Sequence, residues 1–137
     1  MARIPQTSPG AAVAARRPEL DRAISAVLDS GSYILGDAVE RFERSFASYL
    51  GAEEAVGVGN GTDAIELALL AVGVQPGSLV FTVSHTAVAT VAAVVRAGAT
   101  PVLVDVDPGR FTMDPRSLQE ALAAAPSGST LGAVVPV

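Results

Sequence analysis

The chain has 137 residues, half of them hydrophobic, and a formal charge of −5; that is enough apolar material for a core in one domain or a piece of one, and too much for a disordered chain. No basic footprint argues for nucleic acid or an anionic membrane surface. Cysteine and lysine are absent, all nine basic residues are arginine, and His85 is the single histidine, which excludes disulfides, thiolate chemistry, a histidine-built metal cluster and any step needing a lysine amine on this chain alone.

In chain order, Met1 to Gly10 reads as a loose arm, with Pro5, Ser8, Pro9 and Gly10 in quick succession. Its proline and polar residues stand where a signal peptide needs an apolar run. Pro18 to Leu28 is predicted helical, with Leu20, Ile24, Val27 and Leu28 on one face. A second helix is predicted from Asp37 to Leu50, striped by Val39, Phe42, Phe46, Tyr49 and Leu50 and stopped by Gly51. Ala55 to Val58 reads as a short strand and Thr62 to Val72 as a helix. Then follow a strand over Leu79–Val83, a helix over Thr86–Ala97, a strand over Pro101–Val106, a helix over Asp114–Ala124 and a strand over Leu131–Val137. Asp114 is a natural N-cap, with Pro115 at the first helical position. Strands and helices alternate, and the strands are apolar rather than half polar, which indicates a parallel sheet covered on both faces. The longest apolar stretches are broken by Glu66 and Arg96, short of the ~20 residues that cross a bilayer, so a cytoplasmic protein is expected. The chain ends on a predicted strand, which reads as a truncated sequence.

The stretch that carries chemistry is Val58-Gly59-Asn60-Gly61-Thr62-Asp63-Ala64, at the predicted strand-to-helix junction. Glycines let the backbone approach a ligand closely, and the free amides of a helix start suit a phosphate. A Walker loop needs lysine where Thr62 stands. The dinucleotide fingerprint needs glycine at that same place and an acidic residue about twenty positions on, where Val80, Phe81 and Thr82 lie. A compact phosphate monoester remains, and the local residues leave open a plain tight turn with a threonine cap.

The wider pattern adds to this. AISAVLDSGSYILGDAVERFERSFASYLGAEEAVGVGNGTDAIELALLAVGV, then SHTAVATVAAVVRAGATPVLVDVDP, then FTMDPRSLQEAL together resemble the DegT/DnrJ/EryC1/StrS aminotransferases, from about Glu19 to Val137. The resemblance implies an α/β fold: the large domain of a type I, aspartate-aminotransferase-like, pyridoxal-phosphate-dependent transferase, with a mostly parallel sheet, helices on both faces and an incomplete C-terminal side. It also implies a domain division into an arm over 1–17 and the aminotransferase portion over 18–137. Such enzymes are homodimers that move an amino group from glutamate or glutamine to a nucleotide-linked keto sugar. The cofactor-phosphate role carries to Gly61, Thr62 and, through its backbone, Asp63. The SHTAVAT segment aligns with the one that lies over the cofactor ring. Ala87 stands where many relatives carry an aromatic residue, and His85 is the candidate to lie near the ring instead, against the reading of a structural histidine. Tyr33, in SGSYILG, is the candidate substrate contact, against a loop tyrosine packed on the core. Asp105 and Asp107 read as a strand-end turn with a cap. No catalytic residue and no metal ligand is assigned, because the Schiff-base lysine and the aspartate facing the pyridine nitrogen have no counterpart in this chain. The alternative is an inactive fragment, or a binding or regulatory module on the same fold.

Overall fold

The computed structural model describes residues 6–137; Met1 to Pro5 of the expected arm lie outside that range. The chain forms two compact units that divide at Gly57–Val58.

The first unit is helical: α1 (Pro9–Ala15), α2 (Arg17–Ser30) and α3 (Asp37–Leu50). Helix α1 lies inside the expected arm over 1–17 and overlaps the stretch read as loose, Met1 to Gly10, at Pro9 and Gly10. Proline fills its first turn and an alanine-rich run follows, the composition that costs a helix least. Gly31 and Gly51 take the left-handed conformation and close α2 and α3. The stripe expected on α2 stays largely uncovered, with Leu20, Ile24 and Leu28 all exposed. On α3, Phe42 and Phe46 stack with ring centroids 5.5 Å apart, and Ala47 is its one buried residue. The Glu43 carboxylate accepts the Gly57 N–H at 2.7 Å.

The second unit is the α/β layer. Helix α4 spans Gly61–Ala71, β1 Leu79–Val83, α5 Val88–Arg96, β2 Thr100–Val104, α6 Pro115–Ala123 and β3 Leu131–Val134. The sheet is parallel, with strand order β2-β1-β3. The chain runs from β1 outward to β2 and then back past β1 to β3. Right-handed crossovers in opposite directions put α5 and α6 on opposite faces, and two cores result. Val80 packs with Leu69, Val74, Val94, Ala97 and Ala99 on one face. Phe81, Val83 and Val104 pack with Leu118, Ala121 and Leu122 on the other. The alternation along β1 is the period-two rule of a strand, and every position of β1 from Val80 to Val83 is buried. The buried polar residues Ser78, Thr82 and Thr90 are satisfied: Thr82 Oγ1 donates to the Val135 carbonyl, Ser78 Oγ accepts the Gln75 N–H, and the Thr90 hydroxyl pairs with Thr86.

Bounds of α2, α4, α5 and α6 shift by one or two residues from the sequence expectation, and three expected strands differ because hydrogen bonding rather than hydrophobicity sets where a strand stops. Ala55–Val58 is not a strand; the residues are apolar, but among the described residues no strand pairs with them, and a ladder needs a partner. Strand β2 stops at Val104 because Val106 turns away to bridge Met113 in the antiparallel sense. Strand β3 ends at Val134, although the Val135 N–H still donates to the Phe81 carbonyl. The β1–β3 register also slips at Leu79/Val80, where Leu131 and Ala133 are the successive partners and Gly132 is skipped. A Cβ on Gly132 would sit 3.0 Å from the Ser78 Cβ, so this bulge admits no side chain.

Candidate functional site

The phosphate candidates lie where α4 begins. Asn60 is extended, and its side-chain Oδ1 accepts the Asp63 N–H at 3.0 Å; its Nδ2 donates to Asp63 Oδ2 at 2.9 Å. This reciprocal cap uses one of the four amides a helix start leaves without an intrahelical partner. The Ala64 N–H closes the first helical bond to the Asn60 carbonyl. The amides of Gly61 and Thr62 and the Thr62 hydroxyl have no partner among the described residues. Asp63, assigned a backbone contact by resemblance, spends that amide on Asn60 in this structure.

The Asp63 carboxylate folds back over the loop; a Cβ on Gly59 would stand 3.1 Å from its Oδ2. Its other oxygen lies 3.1 Å from Arg96 Nη1, at the end of α5. Arg96 Nε lies 2.7 Å from Glu66 Oε2. That oxygen has no aligned hydrogen bond, so the contact pairs charges without a well-directed N–H. Val58, Gly59, Asp63, Glu66, Leu67 and Arg96 line a cleft of about 350 Å³. At Gly61 an added Cβ would meet nothing within 4 Å. Two unspent amides, a free hydroxyl, open space beside Gly61 and a carboxylate partly offset by Arg96 together fit a phosphate group.

His85 stands just past the carboxyl end of β1, the edge at which parallel α/β sheets bind ligands. It is exposed, and its ring centroid is 6.3 Å from that of Phe111. Phe111 adopts a φ of 60°, a left-handed conformation unusual for a bulky residue. A tight turn holds it: the Asp107 carbonyl accepts the Phe111 N–H at 2.7 Å, the Asp107 N–H donates to the Thr112 carbonyl, and Asp107 Oδ1 accepts the Gly109 and Arg110 amides. Asp107 is therefore the turn cap its spacing suggests. Tyr33 belongs to the first unit. Its hydroxyl donates to the Leu28 carbonyl at 3.1 Å while the residue is 65% exposed, so it is not packed on a core. A larger cleft of about 500 Å³ in the first unit runs along α3 and carries Glu40, Glu43, Glu53 and Glu54; no candidate residue lines it.

Sequence reasoning passed over Asn60, Glu66, Arg96 and Phe111. The first was findable, since Asn three residues before Asp at a helix start is a capping pattern. The Arg96 contacts join two helices thirty residues apart in sequence, and no local pattern signals them.

Fold and site together define a parallel α/β unit whose first helix begins with two amides and a hydroxyl that have no partner among the described residues. The profile of the DegT/DnrJ/EryC1/StrS aminotransferase family matches residues 15–137, and the chain belongs to that family. It is 44% identical over 106 residues to a pleiotropic regulatory protein of Geobacillus stearothermophilus, covering 77% of this chain and 28% of that protein. It is likewise 44% identical over 120 residues to a dTDP-3-amino-3,4,6-trideoxy-alpha-D-glucose transaminase of Streptomyces venezuelae, covering 88% and 32%. Among solved structures, a family aminotransferase from Brucella abortus superposes with a TM-score of 0.92 at 38% identity, over 98% of this chain and 36% of the other. The NtdA protein of Bacillus subtilis, solved with bound cofactor PMP, superposes with a TM-score of 0.78 at 30% identity, over 88% and 27%. The chain thus spans about a third of the length of these proteins.

Proposed function

We propose that this chain carries the cofactor-phosphate cradle of a pyridoxal-phosphate-dependent sugar aminotransferase, and that the whole protein moves an amino group from glutamate or glutamine to a nucleotide-linked keto sugar. The observation that supports this most is the pair of unspent amides at Gly61 and Thr62, with the free Thr62 hydroxyl, at the start of an eleven-residue helix in a chain of this family. In this reading the Gly61 and Thr62 amides and the Thr62 hydroxyl hold the phosphate, with the helix dipole behind them. The Asp63 backbone joins only by releasing Asn60; until then the cap fixes the loop. Pyridoxal phosphate, when bound, supplies the electron sink for amino-group chemistry. His85 is assigned to the cofactor ring, with Phe111 limiting its swing, and the exposed Tyr33 to the sugar nucleotide. No residue here is assigned to proton transfer or to bonding the cofactor, because the chain has no lysine.

The same reading takes residues 1–17 as an arm and 18–137 as aminotransferase domain, acting in a cytoplasmic homodimer. Support for association comes from exposed apolar side chains such as Ile34, Leu35 and Val88. Among the described residues no helix is long and apolar enough to cross a membrane. For the chain acting alone, the missing lysine favours binding without turnover. The test is a titration of the 137-residue chain with pyridoxal phosphate and with pyridoxal. Tighter binding of the phosphate form supports the cradle; equal binding of the two would falsify it.

A further inference from the structure

We propose that Arg96 is a positioning residue of the phosphate cradle: its one positive charge is shared between the Asp63 and Glu66 carboxylates and reduces the opposing charge that a phosphate meets at the Gly61 and Thr62 amides. This rests on the cradle reading above. The first two turns of α4 carry two carboxylates. Both suit the helix dipole in the free protein, and both oppose an arriving dianion. Asp63 is the more consequential, because its Oδ2 is folded back toward Gly59 and Asn60, within the loop that presents the free amides. Arg96 offsets both with separate nitrogens of one guanidinium, Nη1 at 3.1 Å from Asp63 and Nε at 2.7 Å from Glu66. Both are charge contacts at ion-pair distance rather than aligned hydrogen bonds, so their effect is electrostatic. Helix α5 brings Arg96 there, with its core residue Val94 and the following Ala97 in one cluster with Leu69 of α4. The three side chains are 53%, 31% and 20% exposed for Arg96, Asp63 and Glu66, so solvent weakens the effect without removing it.

The experiment uses the full 137-residue chain, titrated with pyridoxal phosphate and with pyridoxal at low and high salt, with thermal unfolding of each variant alongside. Arg96→Gln is expected to weaken pyridoxal phosphate binding about tenfold at low salt, with a smaller deficit at high salt and no change for pyridoxal. Adding Asp63→Asn to Arg96→Gln should restore most of the loss, because the stranded charge is gone. Glu66→Gln alone should tighten phosphate binding by about threefold, since the guanidinium then serves one carboxylate. A deficit that Asp63→Asn does not repair makes Arg96 a mere tie between α4 and α5 and overturns the proposal. So does a Glu66→Gln chain that binds no tighter than the parent. Equal binding by Arg96→Gln and the parent overturns the proposal and leaves the cradle standing. A parent that does not prefer the phosphate form overturns both.

Discussion

Thr62 occupies the position at which three readings of the motif diverge. It rules out a Walker loop and a dinucleotide turn by being neither lysine nor glycine, and in the proposed cradle its hydroxyl is the side-chain donor to the phosphate. Thr62→Ala removes that hydroxyl and keeps both amides. A hydrogen bond to a charged group is worth about 1.5–3 kcal/mol, so pyridoxal phosphate affinity should drop by about one to two orders of magnitude in a fluorescence titration. Gly61→Ala provides the contrast. Its methyl meets nothing within 4 Å and alanine is the better helix former, so unfolding should show equal or higher stability while phosphate binding falls. If binding holds in both variants, Gly61 and Thr62 form only a turn.

At the scale of elements, the helices show where local chemistry was sufficient. Helix α6 begins at Pro115 behind Asp114, whose Oδ1 accepts the Arg116 N–H at 3.0 Å. Asp114→Ala should cost about 0.5–2 kcal/mol of stability, read from the denaturant midpoint at unchanged slope. An unchanged midpoint would show that α6 is held by Leu118 and Leu122 packing alone. Helix α3 was legible to the residue, from the glycine that stops it to the acidic first turn. Strand ends were not, because Val106 and Met113 pair with each other across a turn and the sequence of either one is compatible with continuing the ladder.

For the whole molecule, two properties follow. The chain has no lysine, and only a lysine amine bonds the cofactor aldehyde durably. Borohydride reduction in the presence of pyridoxal phosphate should therefore leave no adduct on any internal side chain by mass spectrometry, and no transaminase activity should accompany the chain alone; an internal adduct would refute this. Second, among the described residues β2 and β3 each carry one unpaired edge, and Phe42, Tyr49, Leu50 and Val88 are exposed. Open edges and apolar surface drive association. Light scattering should find oligomers at micromolar concentration, and a monodisperse monomer with a sharp thermal transition would count against it.

The sequence by itself determined the alternation of strands and helices, the two-sided burial of the sheet, the helix ends at Gly31, Gly51 and Asp114, and the helix start at Gly61-Thr62. Each of these is written in side-chain period, capping chemistry or backbone freedom within a few residues. Only the tertiary structure decided that Ala55–Val58 stays unpaired, that Gly132 is skipped against Ser78, that His85 lies beside Phe111, and that Arg96 reaches Asp63 and Glu66. These depend on which distant segments meet, and a ladder, a bulge or an ion pair exists only once both of its halves have been brought together.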